Sequence, residues 1–199
     1  MQFSILKLAV AALAICSDSV LGQTTPAQVV QNIDMVTKKS NDLIAPAQKI
    51  SLLNGPLIIV GLGPYPVTNP FLPCDKKTII TGFVDIVSTV TTALAQMQGM
   101  PPVPAGPQSD AIFEAFREFV RIHQMLLNVL IGKAGLFSTV PFIGAPIAAV
   151  LRQVENIVDT VAFALIDAVQ SRATDLQVQA GMLTGTITTT IDRYQGLQL

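Results

Sequence analysis

Five segments of the chain space their apolar residues three and four positions apart, which is the pattern of amphipathic α-helices. No stretch of useful length alternates apolar and polar residues with the period of two that is typical of a strand. The connections between the five segments are rich in proline. We therefore expect an all-α fold, a single-domain bundle of about five amphipathic helices with Pro-rich loops.

Local signals predict where these helices begin. Thr25 precedes a proline and stands three residues before Gln28, which is the spacing of a capping box, so the first helix is expected to open there. Pro46 should kink or split this helix, because its ring clashes with the preceding turn and it lacks an N–H. Thr174 and Gln177 form a second capping box, which predicts the start of the fifth helix. The other three helices are expected to begin at Asp75, near Ser109 and at Pro146.

Residues 1–22 have the character of a secretory signal peptide. Residues 1–7 carry one positive charge, residues 8–15 form an apolar run, and cleavage is expected after Gly22. The apolar run is much shorter than the roughly 20 residues that a membrane-spanning helix needs. We therefore expect a secreted, extracellular protein whose mature domain covers residues 23–199.

A lipoprotein signal ending at Cys16 is an alternative, although the bulky Ile15 directly before this cysteine fits such a signal poorly. Cleavage after Gly22 would leave Cys74 as the one cysteine of the mature domain, so no internal disulfide can form. Residues 134–151 lack charge, but prolines and glycines interrupt them, so we expect no stable transmembrane span.

The number and the arrangement of the charged residues argue against one class of partner. Charged residues make up 13% of the chain, against about 25% in an ordinary globular domain. The chain carries 12 basic and 13 acidic side chains, without the clustered Lys and Arg that bind phosphate. We therefore expect no nucleic acid partner.

Residue types that perform catalysis or bind metals are scarce. The chain has one histidine, His123, so a metal site of the usual kind is not expected. Cys74 with His123 is the sole nucleophilic option, and a Gly-x-Ser-x-Gly motif is absent from the sequence. We therefore expect no enzymatic activity, with no catalytic residues, no metal and no cofactor.

Several segments are apolar on more than one face, among them residues 161–166, and the loops at residues 57–60 and 135–142 are apolar as well. Half of the chain is hydrophobic. One interpretation is a buried central helix with well-covered loops. The other is that part of this apolar surface lines a cavity or forms an exposed patch that binds a partner.

A motif near the end of the third helix resembles a known family. Leu126 and Leu130 precede Lys133 in the order Leu-x3-Leu-x2-Lys, which a short turn and Phe137 follow. Together with the closing Ile187-x3-Ile191-Asp-x-Tyr194, this order of features resembles the fungal hydrophobic surface-binding protein A and cell-wall galactomannoprotein family over residues 26–194.

The resemblance implies a secreted or wall-associated helical bundle. Some members of that family bind long-chain fatty acids between their helices, and others adsorb to hydrophobic surfaces. This chain departs from the family pattern in its extended Pro-rich loop at residues 55–73, and it lacks the Ser/Thr-rich wall-anchoring tail of some relatives. Wall attachment is therefore left open.

We expect a non-enzymatic binding protein that holds a long-chain fatty acid or a similar apolar small molecule between its helices. The alternative is a surface-active protein that adsorbs to hydrophobic surfaces, such as cell wall, cuticle or polymer, and recruits secreted hydrolases there. The residues predicted to line a cavity, with ordinary core packing as their alternative role, are Phe83, Phe116, Phe119, Leu126, Val154, Ile157, Val161 and Leu165.

Two polar residues interrupt the apolar faces, Ser40 on the first helix and His123 on the third. Because a buried polar group needs a partner, each is a candidate to hydrogen-bond a ligand carboxylate, and His123 would do so more strongly if protonated. The alternative is a satisfied core hydroxyl and an imidazole bonded to a backbone carbonyl or to water.

Overall fold

Five α-helices make up most of the chain that the structure, a computed structural model, describes, namely residues 24–54, 59, 78–137 and 143–196. No strand occurs within these ranges, so the predicted all-α bundle is confirmed. The predicted signal peptide lies outside them, as do Cys74 and Asp75. The helices are α1 (Pro26–Gln48), α2 (Ile79–Met97), α3 (Pro107–Ala134), α4 (Gly144–Ala168) and α5 (Ala173–Gln195).

Each helix packs mainly against two others, and the contacts close into a ring in the order α1, α3, α5, α4, α2 and back to α1. Hydrogen bonds fix the directions within the ring. Arg172 bonds Asp110 where α3 and α5 begin, and Tyr194 bonds the carbonyl of Leu130 where both end, so these two helices are parallel. Helix α1 runs in the same direction, because Lys133 near the end of α3 donates to the carbonyl of Ile50 just after α1. Helices α2 and α4 run the opposite way.

The start of α1 follows the sequence prediction, whereas its end does not. The Gln28 N–H donates to the Thr25 hydroxyl, and the Gln28 side chain accepts from the Thr25 N–H at 2.8 Å, which confirms the capping box. The predicted split at Pro46 is wrong, because α1 continues through this residue to Gln48. Pro46 lies in the last turn, where its missing N–H removes one helical hydrogen bond close to the end of the helix.

Helix α2 begins after the predicted residue, whereas α3 begins near Ser109 as predicted. Thr78 caps α2, its hydroxyl accepting a hydrogen bond from the Thr81 N–H at 3.1 Å, so the cap lies three residues after the predicted Asp75. Helix α3 begins at Pro107, two residues before Ser109. The Ser109 hydroxyl accepts from the N–H of Gly106 at 3.0 Å, so it still satisfies backbone at the helix start.

Helices α4 and α5 begin earlier than predicted. Helix α4 starts at Gly144 rather than Pro146. The predicted capping box at Thr174 is wrong, because α5 begins at Ala173 directly after a turn of 3₁₀-helix, and Arg172 precedes it without a side-chain cap. The Arg172 guanidinium instead bonds carboxylates on both α3 and α5, and this contact fixes the position of the turn.

Helices α1 and α2 approach each other most closely at Gly82. A Cβ atom built on Gly82 would lie 2.4 Å from Leu43 Cδ2, and Leu43 is itself buried at 3% exposure. A distance this short is well inside van der Waals contact, so any larger residue at this position would displace a core side chain. On α5, by contrast, a Cβ atom on Gly181 would meet nothing within 4 Å.

We predict that the variant Gly82→Ala is less stable than the variant Gly181→Ala by about 1–3 kcal/mol, the usual cost of overpacking a core. Both substitutions gain the same helix propensity, so the difference isolates the clash with Leu43. Urea unfolding followed by circular dichroism measures both values. Equal stabilities would contradict the close approach of α1 and α2.

Candidate functional site

An apolar cleft opens between α1, α2 and α4, and α3 forms its floor. The space between its walls, including the open mouth, is about 490 Å³, and the centre of a water molecule can occupy about 40 Å³ of it. Its lining residues are Val29, Asn32, Ile33, Val36, Val90, Ala93, Leu94, Met97, Phe116, Phe119, Val158, Val161 and Leu165. Of these, Asn32 alone carries a polar side chain. The cleft can therefore accept apolar groups, and its lining offers few polar contacts.

The cleft extends along two turns of helix. Its walls come from residues 29–36 of α1, 90–97 of α2 and 158–165 of α4. With a rise of 1.5 Å per residue, each wall is about 10 Å long. Helix α2 is the least buried wall, since none of its residues after Val90 is fully buried.

Some of the residues predicted to line a cavity lie in this cleft and others do not. Phe116, Phe119, Val161 and Leu165 line it. The remaining four pack in the core outside the lining, three of them fully buried and the last partly buried: Phe83, Leu126, Val154 and Ile157.

The residues of α1 and α2 that line the cleft are not among those predicted from the sequence to line a cavity. Val29, Ile33 and Val36 follow the helical spacing that predicts a buried face, and nothing local marks them as cleft residues. Val158 of α4 lies next to the predicted Ile157 and is the more buried of the two. The missing information is which helices are neighbours, because the cleft exists only where α2 packs between α1 and α4.

The mouth of the cleft is bridged by side chains from both of its walls. The Asn32 side-chain amide of α1 donates to the Gln96 side-chain oxygen of α2 at 2.9 Å. The Thr24 hydroxyl, just before α1, donates to the backbone carbonyl of Gln96. Further along, Lys39 of α1 pairs with Asp85 of α2 at 2.7 Å. These contacts hold the two walls together at both ends.

The two polar residues predicted from the sequence, Ser40 and His123, lie together just beyond the residues that line one end of the cleft. The Oγ of Ser40 is 2.9 Å from Nδ1 of His123, and both residues are fully buried. Ser40 also donates to the backbone carbonyl of Val36 at 3.0 Å. A hydroxyl has a single proton to donate, so we assign the proton of the imidazole to Nδ1, which donates to Ser40. The Nε2 atom is then an acceptor.

The Nε2 atom of His123 is buried and has no hydrogen-bond partner among the described residues. The imidazole ring packs against the rings of Phe83 and Phe119, with centroids 5.9 and 5.3 Å away. Removal from water lowers the pKa of His123 from 6.5 to about 4. The imidazole is therefore neutral near pH 7, which disfavours the predicted contact between a protonated His123 and a carboxylate.

The predicted nucleophilic pair of Cys74 and His123 is not tested by the part of the chain that the structure describes. Cys74, the other member of the predicted nucleophilic pair, lies outside that part. Within it, no cluster of three or more His, Cys, Asp or Glu side chains is placed to hold a metal ion.

One of the described helices, α2, is long and apolar enough by length and composition to cross a membrane, with 28% of its 18-residue window buried in the bundle. A core helix of a soluble protein meets the same criterion, so this property is weak evidence. Here α2 packs against α1 and α4.

Comparisons of the chain with protein family models, with curated proteins and with solved structures found no match. The resemblance to the fungal hydrophobic surface-binding and galactomannoprotein family therefore stays a prediction based on its motifs. The function of the protein must therefore be inferred from the cleft and the residues around it.

We predict that burial of His123 makes the protein sensitive to acid. Because the pKa is lower in the folded state, the unfolded state binds the proton first, so stability is full above pH 6.5 and is lost as pH falls toward 4. Between pH 7 and pH 4 the wild type should lose about 3 kcal/mol more than a His123→Leu variant, at about 1.4 kcal/mol per pKa unit. Urea unfolding at both pH values measures this difference, and parallel losses in the two proteins would refute it.

Proposed function

We propose that the protein is a secreted, non-enzymatic carrier that holds a long-chain fatty acid or a similar apolar molecule in the cleft between α1, α2 and α4. The observation that supports this proposal is the lining, in which all side chains but Asn32 are apolar. Binding sites for small molecules are typically concave and mostly apolar, with few polar groups. The proposal also agrees with the family resemblance of the sequence.

Entry of the ligand requires the walls to separate. The volume of about 40 Å³ that the centre of a water molecule can occupy gives room for a few water molecules at most. Helix α2 is the wall best suited to move, because its second half has no fully buried residue. Its movement would break the bond between Asn32 and Gln96 at the mouth and would leave α1, α3 and α5 packed together.

Affinity should then depend on chain length. Each methylene buried contributes about 0.8 kcal/mol, which corresponds to roughly a fourfold gain in affinity for each carbon added until the cleft is filled. Native mass spectrometry of the secreted protein, followed by extraction and identification of bound molecules, is the direct test of the carrier proposal. A protein that is recovered empty and binds neither added fatty acids nor other added long-chain apolar molecules is not a carrier.

We predict that Ala93→Phe weakens binding of a fluorescent fatty acid at least tenfold, because Ala93 lines the cleft and the added ring would occupy it. Ala95→Phe is the matched control, since Ala95 lies on the exposed face of the same helix. Fluorescence titration gives both dissociation constants. Equal loss in both variants, or loss in neither, would place the ligand elsewhere.

The second candidate function is adsorption to hydrophobic surfaces, which the outer faces of α2 and α5 favour. Residues 86–97 and 176–191 contain no charged side chain. Many threonine hydroxyls on these helices, including those of Thr92 and Thr189, donate back to a carbonyl of their own helix. The methyl groups of these threonines therefore form much of the outer side-chain surface of the two helices. On α5, Val178 and Met182 are exposed at 55% and 53%.

We predict that replacing both Val178 and Met182 with Lys lowers retention on octyl-coated beads severalfold if the protein adsorbs through this face, because two desolvated charges would oppose adsorption. Fatty acid affinity should be unchanged in this double variant. Ala93→Phe serves as the reciprocal control, with retention unchanged and fatty acid binding weakened. Unchanged retention of the double variant would exclude α5 as the adsorbing face.

A further inference from the structure

The carrier proposal leaves one buried polar atom without a role, the Nε2 atom of His123. It lies in the core with no hydrogen-bond partner among the described residues, whereas the other ring nitrogen is bonded to Ser40. Buried polar atoms are nearly always paired, and each exception calls for an explanation. A bound ligand that brings its own polar group would supply the partner.

The position of His123 relates it to the cleft. On α3 it follows Phe119 by four residues, and on α1 Ser40 follows Val36 by four residues. Phe119 and Val36 both line the cleft, so the polar pair lies one helical turn beyond the inner end of the cleft, about 5 Å further along. Phe119 lies between the cleft and His123, because it lines the cleft and its ring centroid is 5.3 Å from the centroid of the imidazole.

The charges around His123 select the kind of polar group. No charged side chain lines the cleft, and the hydrogen-bond partner and the two aromatic rings at the imidazole, Ser40, Phe83 and Phe119, are all neutral. The nearest cation along α1, Lys39, pairs with Asp85 at 2.7 Å. Because burial also keeps the imidazole neutral, a carboxylate placed here would be a buried charge without a partner, which is strongly unfavourable.

We propose that the cleft binds molecules whose apolar chain ends in a neutral hydroxyl, inserted head first, so that the hydroxyl donates a hydrogen bond to Nε2 of His123 after the Phe119 ring moves aside. This inference rests on the proposed carrier function and narrows its ligand class to long-chain alcohols. The hydroxyl suits the site because it can donate a hydrogen bond at every pH of interest without carrying charge.

Three ligands with the same twelve-carbon chain test the inference: dodecan-1-ol, dodecanoate and dodecyl methyl ether. At pH 7 the wild type should bind the alcohol at least tenfold more tightly than either of the others, as measured by displacement of a fluorescent fatty acid. In a His123→Phe variant, which replaces one buried ring with another, the preference for the alcohol over the ether should disappear while the ether binds as before.

A second measurement does not depend on the folding of a variant. The chain has a single histidine, so ¹⁵N labelling of histidine gives one pair of imidazole signals. The Nε2 signal should move upfield when the wild type binds dodecan-1-ol, as expected for a lone pair that accepts a hydrogen bond, and should stay in place with the ether.

The outcomes separate this inference from the carrier proposal. Equal affinity for the three ligands, or tighter binding of dodecanoate at pH 7, overturns the preference for alcohols and leaves the carrier function intact. An unmoved Nε2 signal in the complex with the alcohol also overturns it, because the hydroxyl would then lie elsewhere. Failure to bind any of the three overturns both.

Discussion

Packing against α3 is the constraint on which the rest of the structure depends. This helix has more buried residues than any other described helix, twelve of its 28. Helices α1 and α5 pack along it over long stretches, and two of its phenylalanines form the floor of the cleft. Both cysteines of the chain lie outside the described residues, so among those residues apolar contact takes the place of covalent cross-links. The positions of α1 and α5 are therefore set by α3, whereas α2 packs mainly against α1 and α4.

Local sequence patterns could predict much of the fold but little of the site. Helical spacing identifies the buried face of α3, because the spacing depends on the helix itself and not on its neighbours. The capping box at Thr25 was found in the same way, since both partners lie within one turn. At Thr174 the same reasoning failed because Arg172 is bound to Asp110 of α3, a contact between residues 62 positions apart. The cleft likewise requires α2 to lie between α1 and α4, which no local pattern contains.

The pair of Ser40 and His123 could be predicted only in part from the sequence. Each residue stood out in the sequence as a polar interruption of an apolar face. Their contact, which joins residues 83 positions apart, needs the parallel packing of α1 and α3. The sequence also left open whether the imidazole carries a charge, because the pKa depends on how completely the tertiary structure removes it from water.

The directions of the helices have an electrostatic consequence. Because α1, α3 and α5 point one way and only α2 and α4 the other, their macrodipoles do not cancel, and the bundle has a negative end where α1, α3 and α5 terminate. The scarce charges follow this polarity. Lys133 and Arg193 lie in the last turns of α3 and α5, and Asp110 and Asp175 lie in their first turns. A chain with so few ions thus places several of them where the backbone's own field makes them most effective.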